Sequence, residues 1–317
     1  MNVEIEYSDL AATELRLSRI GFGCWAIGGH GYGIVDDRES IEAIQQALSS
    51  GINFFDTADV YGFGHSEEVL SKGLGARRHD VVIATKCGVC WDAAGKTYRD
   101  SSARRVVEAL DGSLRRLRVD CIPLYQLHEH DGVTPLEETM EALCRCREAG
   151  KIRFIGCTNL VAAQVASMNA IDRLSSVQLL FSMVDRAHEP LLQACHEAEG
   201  MSTIVYGALV RGLLSGKYDR QSTFGRNDTR PTDADFQGLR LERNLELVSD
   251  VASVALQYDK SPAQVALRWV LDLPFISSVI VGMKTRDQVL SNVGAMGWSL
   301  PGEDWQRLSR SARASNG

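Results

Sequence analysis

Four side chains capable of acid–base chemistry occur at or just after the ends of apolar runs. Asp56 ends the run Asn-Phe-Phe-Asp, Lys86 ends Val-Val-Ile-Ala-Thr-Lys, and His128 ends Tyr-Gln-Leu-His, while Tyr61 follows Asp56 by five residues. Each residue alone is more typical of a turn or of a solvated surface. Together they predict a site, because the ends of neighbouring parallel strands meet at one rim.

These residue types suit proton transfer to an oxygen atom. A free tyrosine has a pKa of about 10 and is a poor acid at neutral pH, but a nearby lysine ammonium stabilises the phenolate and lowers that pKa. Asp56 can hold Lys86 charged and in place, and His128 can donate a hydrogen bond to a substrate oxygen. Such a set would polarise a carbonyl and protonate it. A hydride must then come from a cofactor.

The elements that position these residues alternate between short apolar runs and helix-like runs. Continuous apolar runs are typical of strands covered on both faces, and strands that alternate with helices predict a parallel sheet. Eight such units predict an α/β fold, a (β/α)₈ TIM barrel with long active-site loops. The predicted strands are Ile20–Gly23, Asn53–Asp56, Val81–Thr85, Ile122–Leu127, Ile152–Cys157, Val177–Leu180, Thr203–Tyr206 and Ile276–Val281. We expect Asp219–Gly238 to be a long loop near the active rim.

A doubly wound open sheet is the alternative fold, and its nucleotide-binding fingerprint is missing. The run Gly21–Ala26 fails the G-x-G-x-x-G pattern at its third glycine. The run Gly212–Tyr218 resembles a P-loop, but it is one residue short and Tyr218 replaces the serine or threonine. We therefore expect that any nucleotide is held by neither of these devices.

Composition limits the partners and the compartment. The 317 residues include 34 Lys and Arg against 41 Asp and Glu, a net charge of −7, which disfavours nucleic-acid binding. Apolar runs are far shorter than the roughly 20 residues of a membrane span, and the start of the chain does not resemble a signal peptide. The eight scattered cysteines favour free thiols in the cytoplasm. We expect one domain over residues 1–317, no metal, and a small-molecule partner; a homo-oligomer is compatible with the sequence.

Three segments resemble the aldo-keto reductase superfamily. The run Gly51–Gly62 (Gly-Ile-Asn-Phe-Phe-Asp-Thr-Ala-Asp-Val-Tyr-Gly), followed by Ser66-Glu67, looks like its signature. Gly150–Asn159 and Val281–Gln288 resemble two further family segments. The start Gly23-Cys-Trp-Ala-Ile-Gly-Gly29 is similar to the bacterial-type subgroup of general stress and inositol-locus proteins. The resemblance runs from about Leu15 to about Asp304 and implies a barrel that interconverts carbonyl and alcohol groups with NADP(H), with NAD(H) left open.

The resemblance also implies roles for individual residues. Tyr61 would be the general acid, Lys86 and Asp56 would tune it, and His128 would orient the substrate. Lys284 would favour NADPH by pairing with its 2′-phosphate. The implied cofactor-binding residues are Gly23, Trp25, Thr158, Asn159, Gln178, Tyr206, Gly207, Leu209, Gly212, Lys217, Gly282, Lys284, Thr285, Arg286, Gln288 and Asn292.

The substrate pocket is where the chain departs from the family pattern. Trp25 and Trp91 follow predicted strands and could line the pocket. Glu129 stands where the family often has an apolar or aromatic residue, and His130 adds a further polar group. These residues indicate a polar, polyhydroxylated substrate. Thr158 replaces the usual serine and keeps its hydroxyl.

Three rival functions fit parts of the pattern. Lys86 could form a Schiff base in a barrel aldolase, although the sequence around Asp56 and Tyr61 argues against it. His128 and His130 could form half of a metal site, but no later predicted strand ends in histidine. The same fold could also serve as a cofactor-binding sensor or regulatory subunit with slow turnover.

Overall fold

The computed structural model describes residues 3–29, 31, 33, 35–198 and 200–315. Within these residues, eight parallel strands close into a barrel with helices between them, so the predicted (β/α)₈ barrel is confirmed. The barrel strands are β3 (Ile20–Gly23), β4 (Phe54–Asp56), β5 (Val82–Cys87), β8 (Ile122–Leu127), β9 (Ile152–Thr158), β10 (Ser176–Leu180), β11 (Ser202–Tyr206) and β12 (Ser278–Gly282). β12 pairs with β3 and closes the ring.

Helices cover the outside of this barrel. They are α1 (Asp37–Ser49), α2 (His65–Leu74), α3 (Ala103–Leu117), α4 (Leu136–Glu148), α5 (Ala162–Ile171), α6 (Glu189–Glu197), α7 (Gly238–Gln257), α8 (Pro262–Leu271), α9 (Arg286–Val293) and α10 (Gly302–Ser315). Among the described residues, none of the helices combines the length and the apolar character needed to cross a bilayer.

The barrel interior changes from apolar to polar along β4 and β5. Side chains alternate between its two faces, so every second residue points inward. Phe54 and Val82 belong to a cluster of apolar side chains inside the barrel, the inner cluster. Asp56 and Lys86 follow them on the same face, at the carboxyl ends of β4 and β5. The polar end of the interior is therefore the end where the predicted catalytic residues lie.

Two antiparallel hairpins accompany the barrel, and they were not predicted from the sequence. β1 (Tyr7–Asp9) pairs with β2 (Arg16–Ser18), and Leu10 and Leu17 from this hairpin join the inner cluster. β6 (Val89–Trp91) pairs with β7 (Thr97–Arg99) directly after β5. Strands of three residues are too short to show a hydrophobic period, which explains the omission.

The segment predicted as the long loop Asp219–Gly238 is only partly irregular. It contains two short 3₁₀ helices, Arg230–Thr232 and Ala234–Phe236, and Gly238 already begins α7. Thr229 donates hydrogen bonds from its backbone N–H (3.1 Å) and its hydroxyl (3.0 Å) to the carbonyl of Gly31. The segment thus bridges to the loop that follows β3.

A cluster of charges ties the start of the chain to the outer helices. Arg268 on α8 is buried, and its guanidinium lies 2.8 Å from Glu6 and 3.0 Å from Asp272. The same Glu6 oxygen accepts a hydrogen bond from the backbone N–H of Gly297 (2.7 Å), and Arg19 lies 3.5 Å from its other oxygen. Loss of Glu6 would leave a buried guanidinium without one of its two carboxylates.

We therefore predict that Glu6→Ala destabilises the protein by about 2 kcal/mol, because it leaves the buried Arg268 guanidinium without one of its charge-assisted contacts. The measurement is the free energy of unfolding in urea. Glu141→Ala is the matched control, since it removes an exposed carboxylate 3.7 Å from Arg145 and should change little. Equal effects of the two substitutions would show that the Glu6 cluster contributes nothing special.

Candidate active site

A buried ion pair lies at the centre of the candidate site. The Lys86 side chain is fully buried, and its Nζ donates to Asp56 Oδ1 at 2.6 Å and to the carbonyl of Thr57 at 2.9 Å. A buried ammonium is tolerated only when such partners replace its water. Because the pair joins β4 and β5, the two neighbouring strands fix both side chains relative to each other.

The second oxygen of Asp56 is held by two glutamine amides. Gln178 Nε2 donates to Asp56 Oδ2 at 2.8 Å, and Gln126 Nε2 lies at 3.4 Å from the same oxygen. Gln126 was missed from the sequence, although a glutamine inside the apolar run Ile122–Leu127 was a usable signal, since such a group needs a buried partner. Strands β4, β5, β8 and β10 thus all contribute to one polar cluster.

Tyr61 lies directly over this cluster. The Lys86 Nζ is 5.2 Å from the centroid of the Tyr61 ring, and the His128 ring meets the Tyr61 ring edge-on at 5.8 Å. Trp25 stacks on the Tyr61 ring with 6.2 Å between the centroids. The structure therefore brings the four predicted catalytic residues together, and an ammonium beside the phenol favours the phenolate electrostatically.

The turn after Tyr61 requires glycine. Gly62 has a φ of 60°, in the left-handed region, and a Cβ there would stand 2.0 Å from the carbonyl oxygen of Gly28. This close approach packs the loop that carries Tyr61 against the 3₁₀ helix Ala26–Gly28, next to Trp25.

His128 is held as a neutral side chain. Removal from water, together with the nearby Lys86 ammonium, holds the pKa of His128 well below its ordinary value. Its Nδ1 is buried and has no hydrogen-bond partner among the described residues. Its backbone carbonyl accepts from the hydroxyl of Thr158 (2.7 Å) and the amide of Asn159 (3.3 Å). A neutral imidazole so placed can donate one hydrogen bond to a ligand oxygen.

A set of amide and hydroxyl groups surrounds these residues. Asn159 Nδ2 donates to Thr158 Oγ1 at 3.0 Å, and the Tyr206 hydroxyl donates to Asn159 Oδ1 at 2.8 Å. Burial, with a smaller contribution from Tyr61, raises the pKa of Tyr206 to about 12, so its ring stays a neutral phenol. Thr158, Asn159, Gln178 and Tyr206 offer donors, acceptors and one aromatic face, which fits a flat carboxamide-bearing ring.

The loop after β11 is strongly curved. Val210, Arg211 and Gly212 have φ values of 49°, 52° and 90°, so three consecutive residues have positive φ. Leu209 accepts hydrogen bonds from the N–H groups of Gly212 (2.9 Å) and Leu214 (3.2 Å). Such curved backbone, which extends here from Gly207 to Lys217, is typical of anion-binding loops.

Three cationic side chains lie near the end of this loop, one from the loop itself and two from later segments. Lys217 Nζ and the Arg230 guanidinium carbon each lie 5.0 Å from the centroid of the Tyr218 ring. Burial, followed by the charges of Arg230 and Lys217, lowers the pKa of Lys284. Arg230 comes from the segment between the loop and α7, and its Nε donates to Asp228 at 2.9 Å. It was missed as a candidate because it lies in an irregular segment. The cluster is a suitable site for a phosphate.

The other predicted cofactor residues are distributed around the same rim. Gly23 pairs with Gly282 on one side and with Asp56 on the other. Thr285 caps α9, and the Gln288 side chain accepts from the backbone N–H of Lys284 (2.7 Å). The remaining two differ in setting: Arg286 reaches Gln46 on α1 (3.2 Å), and Asn292 is buried on α9.

The predicted pocket residues divide into two groups. Trp25 lies over Tyr61, and Trp91 lies on the β6–β7 hairpin. Glu129 forms an ion pair with Arg99 of that hairpin, so it remains at the rim. The His130 ring instead contacts the carbonyl of Thr134 at 2.6 Å and the amide of Gln164 at 3.3 Å, which ties it to its own turn and to α5.

The donor set suits an organic cofactor. Within the part of the chain that the structure describes, no three His, Cys, Asp or Glu side chains gather in a way that could hold a metal ion. The carboxamide-type donors lie beside Tyr61, and the cationic cluster lies farther along the rim, so the residues present fit a nicotinamide nucleotide that runs between them. A barrel whose rim places a tyrosine beside a lysine ammonium, with donors that suit a nicotinamide nucleotide, fits the class of cofactor-dependent oxidoreductases.

Comparison with known proteins identifies the family. The model of the aldo/keto reductase family matches residues 19–313, and the chain belongs to that family. It is 37% identical over 308 residues to the aldo-keto reductase YhdN of Bacillus subtilis, covering 96% of this chain and 93% of the relative. It is 32% identical over 321 residues to an NADH-specific methylglyoxal reductase of Escherichia coli, covering 96% of this chain and 98% of the relative.

A solved structure agrees with this assignment. A glycerol dehydrogenase from Gluconobacter oxydans superposes with a TM-score of 0.90 at 34% identity, covering 98% of this chain and 96% of the other. The protein is thus an enzyme that uses NAD(P)H to interconvert carbonyl and alcohol groups.

The lowered pKa of His128 predicts a pH effect on stability. The unfolded histidine takes up a proton as the pH falls below 6.5, while the folded one does not, so the folded state loses stability in that range. His128→Gln removes this contribution. The difference in unfolding free energy between the original protein and the variant should therefore shrink between pH about 7.5 and about 5.

The measurement is urea denaturation of both proteins at the two pH values. The contributions of the other histidines are the same in both proteins and cancel in the difference of their unfolding free energies. A constant difference would contradict a histidine held neutral by its surroundings.

Proposed function

We propose that Tyr61 is the general acid of this reductase. The hydride for the carbonyl carbon would come from a nicotinamide nucleotide bound at this rim. Tyr61 transfers its phenolic proton to the carbonyl oxygen, which becomes the alcohol hydroxyl, and the phenolate left behind is stabilised by Lys86. Asp56 keeps Lys86 charged and oriented, and neutral His128 donates a hydrogen bond that orients the substrate oxygen. The observation that supports this assignment is the 5.2 Å approach of the Lys86 ammonium to the Tyr61 ring.

Tyr61→Phe tests this role because it removes the proton donor and keeps the ring. We expect kcat to fall by about 100- to 10,000-fold, the range typical of general acid catalysis. The affinity for NADPH, measured by quenching of tryptophan fluorescence, should stay unchanged. Normal turnover by this variant would refute the assignment of the acid.

The cationic cluster supports a preference for NADPH. Lys284 and Arg230 lie close together where the adenosine 2′-phosphate would bind, whereas Lys217 belongs to the loop proposed to cover the pyrophosphate. NADH lacks the 2′-phosphate and could not make this contact with Lys284 and Arg230. The relative from Escherichia coli is named as NADH-specific, so membership of the family does not decide the preference.

Substitution of the cations tests the preference. Lys284→Ala and Arg230→Ala should each weaken NADPH binding by about 10- to 100-fold, the value of one charge-assisted contact, and leave NADH binding unchanged. Lys217→Ala is the control, because both cofactors carry the pyrophosphate and should be weakened alike. Equal weakening of NADPH and NADH by Lys284→Ala would contradict the 2′-phosphate contact.

The proposed substrate is a small polar carbonyl compound or the matching polyol. The ion pair between Glu129 and Arg99 gives the rim a polar side. Two relatives are named for glycerol and methylglyoxal, which are both small oxygen-rich molecules. His130 supports this proposal less than Glu129 does, because its ring is engaged by Thr134 and Gln164.

The rival functions are less well supported. A Schiff base requires a neutral Lys86, whereas the 2.6 Å contact with Asp56 stabilises the ammonium form, which is not nucleophilic. A slow regulatory subunit would keep the same four residues, so turnover of bound NADPH distinguishes it. We further propose a reducing, cytoplasmic setting, which the eight free cysteines support.

A further inference from the structure

Two buried carboxylates flank Tyr61, and α3 supplies an arginine to each. Asp59 precedes Tyr61 by two residues, and its Oδ2 lies 3.1 Å from Arg105 Nη2. Glu67 follows Tyr61 by six residues, and its Oε2 lies 2.7 Å from Arg116 Nε. Both acids are fully buried. The two arginines are eleven residues apart, about three helical turns, so they lie on one face of α3.

Arg105 makes a second contact that Arg116 does not share. Its guanidinium carbon lies 5.7 Å from the centroid of the Trp91 ring on the β6–β7 hairpin. The Trp91 ring in turn lies 5.7 Å from the ring of Phe63. Phe63 follows Tyr61 by two residues and has a φ of 58°, in the left-handed region.

These contacts form a closed ring around the loop that carries Tyr61. It runs from Asp59 to Arg105, to Trp91, to Phe63, and back along the backbone through Tyr61. Both ends of the segment 59–63 are therefore tied to one guanidinium, directly at Asp59 and through Trp91 at Phe63. A shift of Arg105 would move the tyrosine and the hairpin together.

The charge of Arg105 also controls the state of Asp59. Burial and the neighbouring Glu67 carboxylate raise the pKa of Asp59 to about 7, and the guanidinium groups of Arg105 and Arg116 oppose this rise. Without Arg105, Asp59 would favour its neutral form at neutral pH. The Asp59 end of the ring would then hold a neutral carboxyl group in place of an ion pair.

We propose that Arg105 is a positioning residue for carbonyl reduction, which sets the place of Tyr61 through Asp59 and the place of the pocket wall through Trp91. The inference rests on the proposed role of Tyr61 as the proton donor. Arg105 touches neither the reacting atoms nor the cofactor site. Its removal should therefore change the chemical step and the fit of the substrate, and leave NADPH binding intact.

The test compares Arg105→Met, Arg105→Lys and Asp59→Asn. The matched control is Arg104→Met, which removes the neighbouring, exposed arginine of α3. For each variant, kcat and KM for a small carbonyl substrate, the Kd for NADPH and the thermal midpoint are measured. The kinetic isotope effect with NADPH deuterated at the transferred position is measured as well. A loss of folded enzyme alone lowers kcat but leaves KM and the isotope effect unchanged.

Arg105→Met should lower kcat by about 100-fold, the effect of a misplacement near 1 Å, raise KM and increase the isotope effect. Arg105→Lys should retain most of kcat but raise KM, because an ammonium can pair with Asp59 but lacks the flat face that packs on Trp91. Asp59→Asn should lower kcat with KM unchanged. This pattern, with the Kd for NADPH unaltered, supports the proposal.

The proposal is overturned if Arg105→Met matches Arg104→Met within about twofold in kcat and KM, or if kcat falls with an unchanged isotope effect. If Arg105→Met does not fold, an Arg105→Lys enzyme with the original KM overturns it equally. Tyr61→Phe is measured in parallel. Normal turnover of that variant refutes the proposed acid itself, whereas normal Arg105 variants beside an inactive Tyr61→Phe refute only the positioning role.

Discussion

The fully buried ammonium of Lys86 is the constraint on which the rest of the site depends. Removing an ion from water costs several kcal/mol even after relaxation, so the fold must supply close partners. Asp56 and the carbonyl of Thr57 meet this requirement at 2.6 and 2.9 Å. The carboxylate then needs donors for its second oxygen, which Gln178 and Gln126 provide. One buried charge thereby determines polar residues on four strands.

The barrel can accommodate this buried ion pair because the two ends of its interior differ in polarity. Apolar side chains such as Phe54 and Val82 fill the amino-terminal half, and the N-terminal hairpin adds Leu10 and Leu17. Asp56 and Lys86 lie at the carboxyl ends of β4 and β5, where Tyr61 covers them and where the loops carry the groups proposed to bind the cofactor. Stability and chemistry therefore use different layers of the same strands.

The sequence was most informative where a pattern has one physical cause. Continuous apolar runs ending in Asp56, Lys86 and His128 predicted both the barrel and the convergence of these residues, because parallel strands align their ends. The hairpins, Gln126 and Arg230 were missed, since short strands, single buried amides and irregular segments carry no periodic signal. The orientation of the His130 ring depends on a local contact with the carbonyl of Thr134, which the spacing of residues in the sequence does not encode. That residues 1–317 form one domain stays a prediction.

The most direct test of the central claim is the rate of hydride transfer in a single turnover with prebound NADPH, followed against pH. The Lys86→Met, Asp56→Asn double variant is the comparison, because it removes the charge pair without leaving an unpaired buried charge. The account predicts a rate lower by about 100-fold or more and a pH dependence displaced towards pH 10, where a free phenol ionises. An unchanged rate and pH profile in the double variant would contradict it.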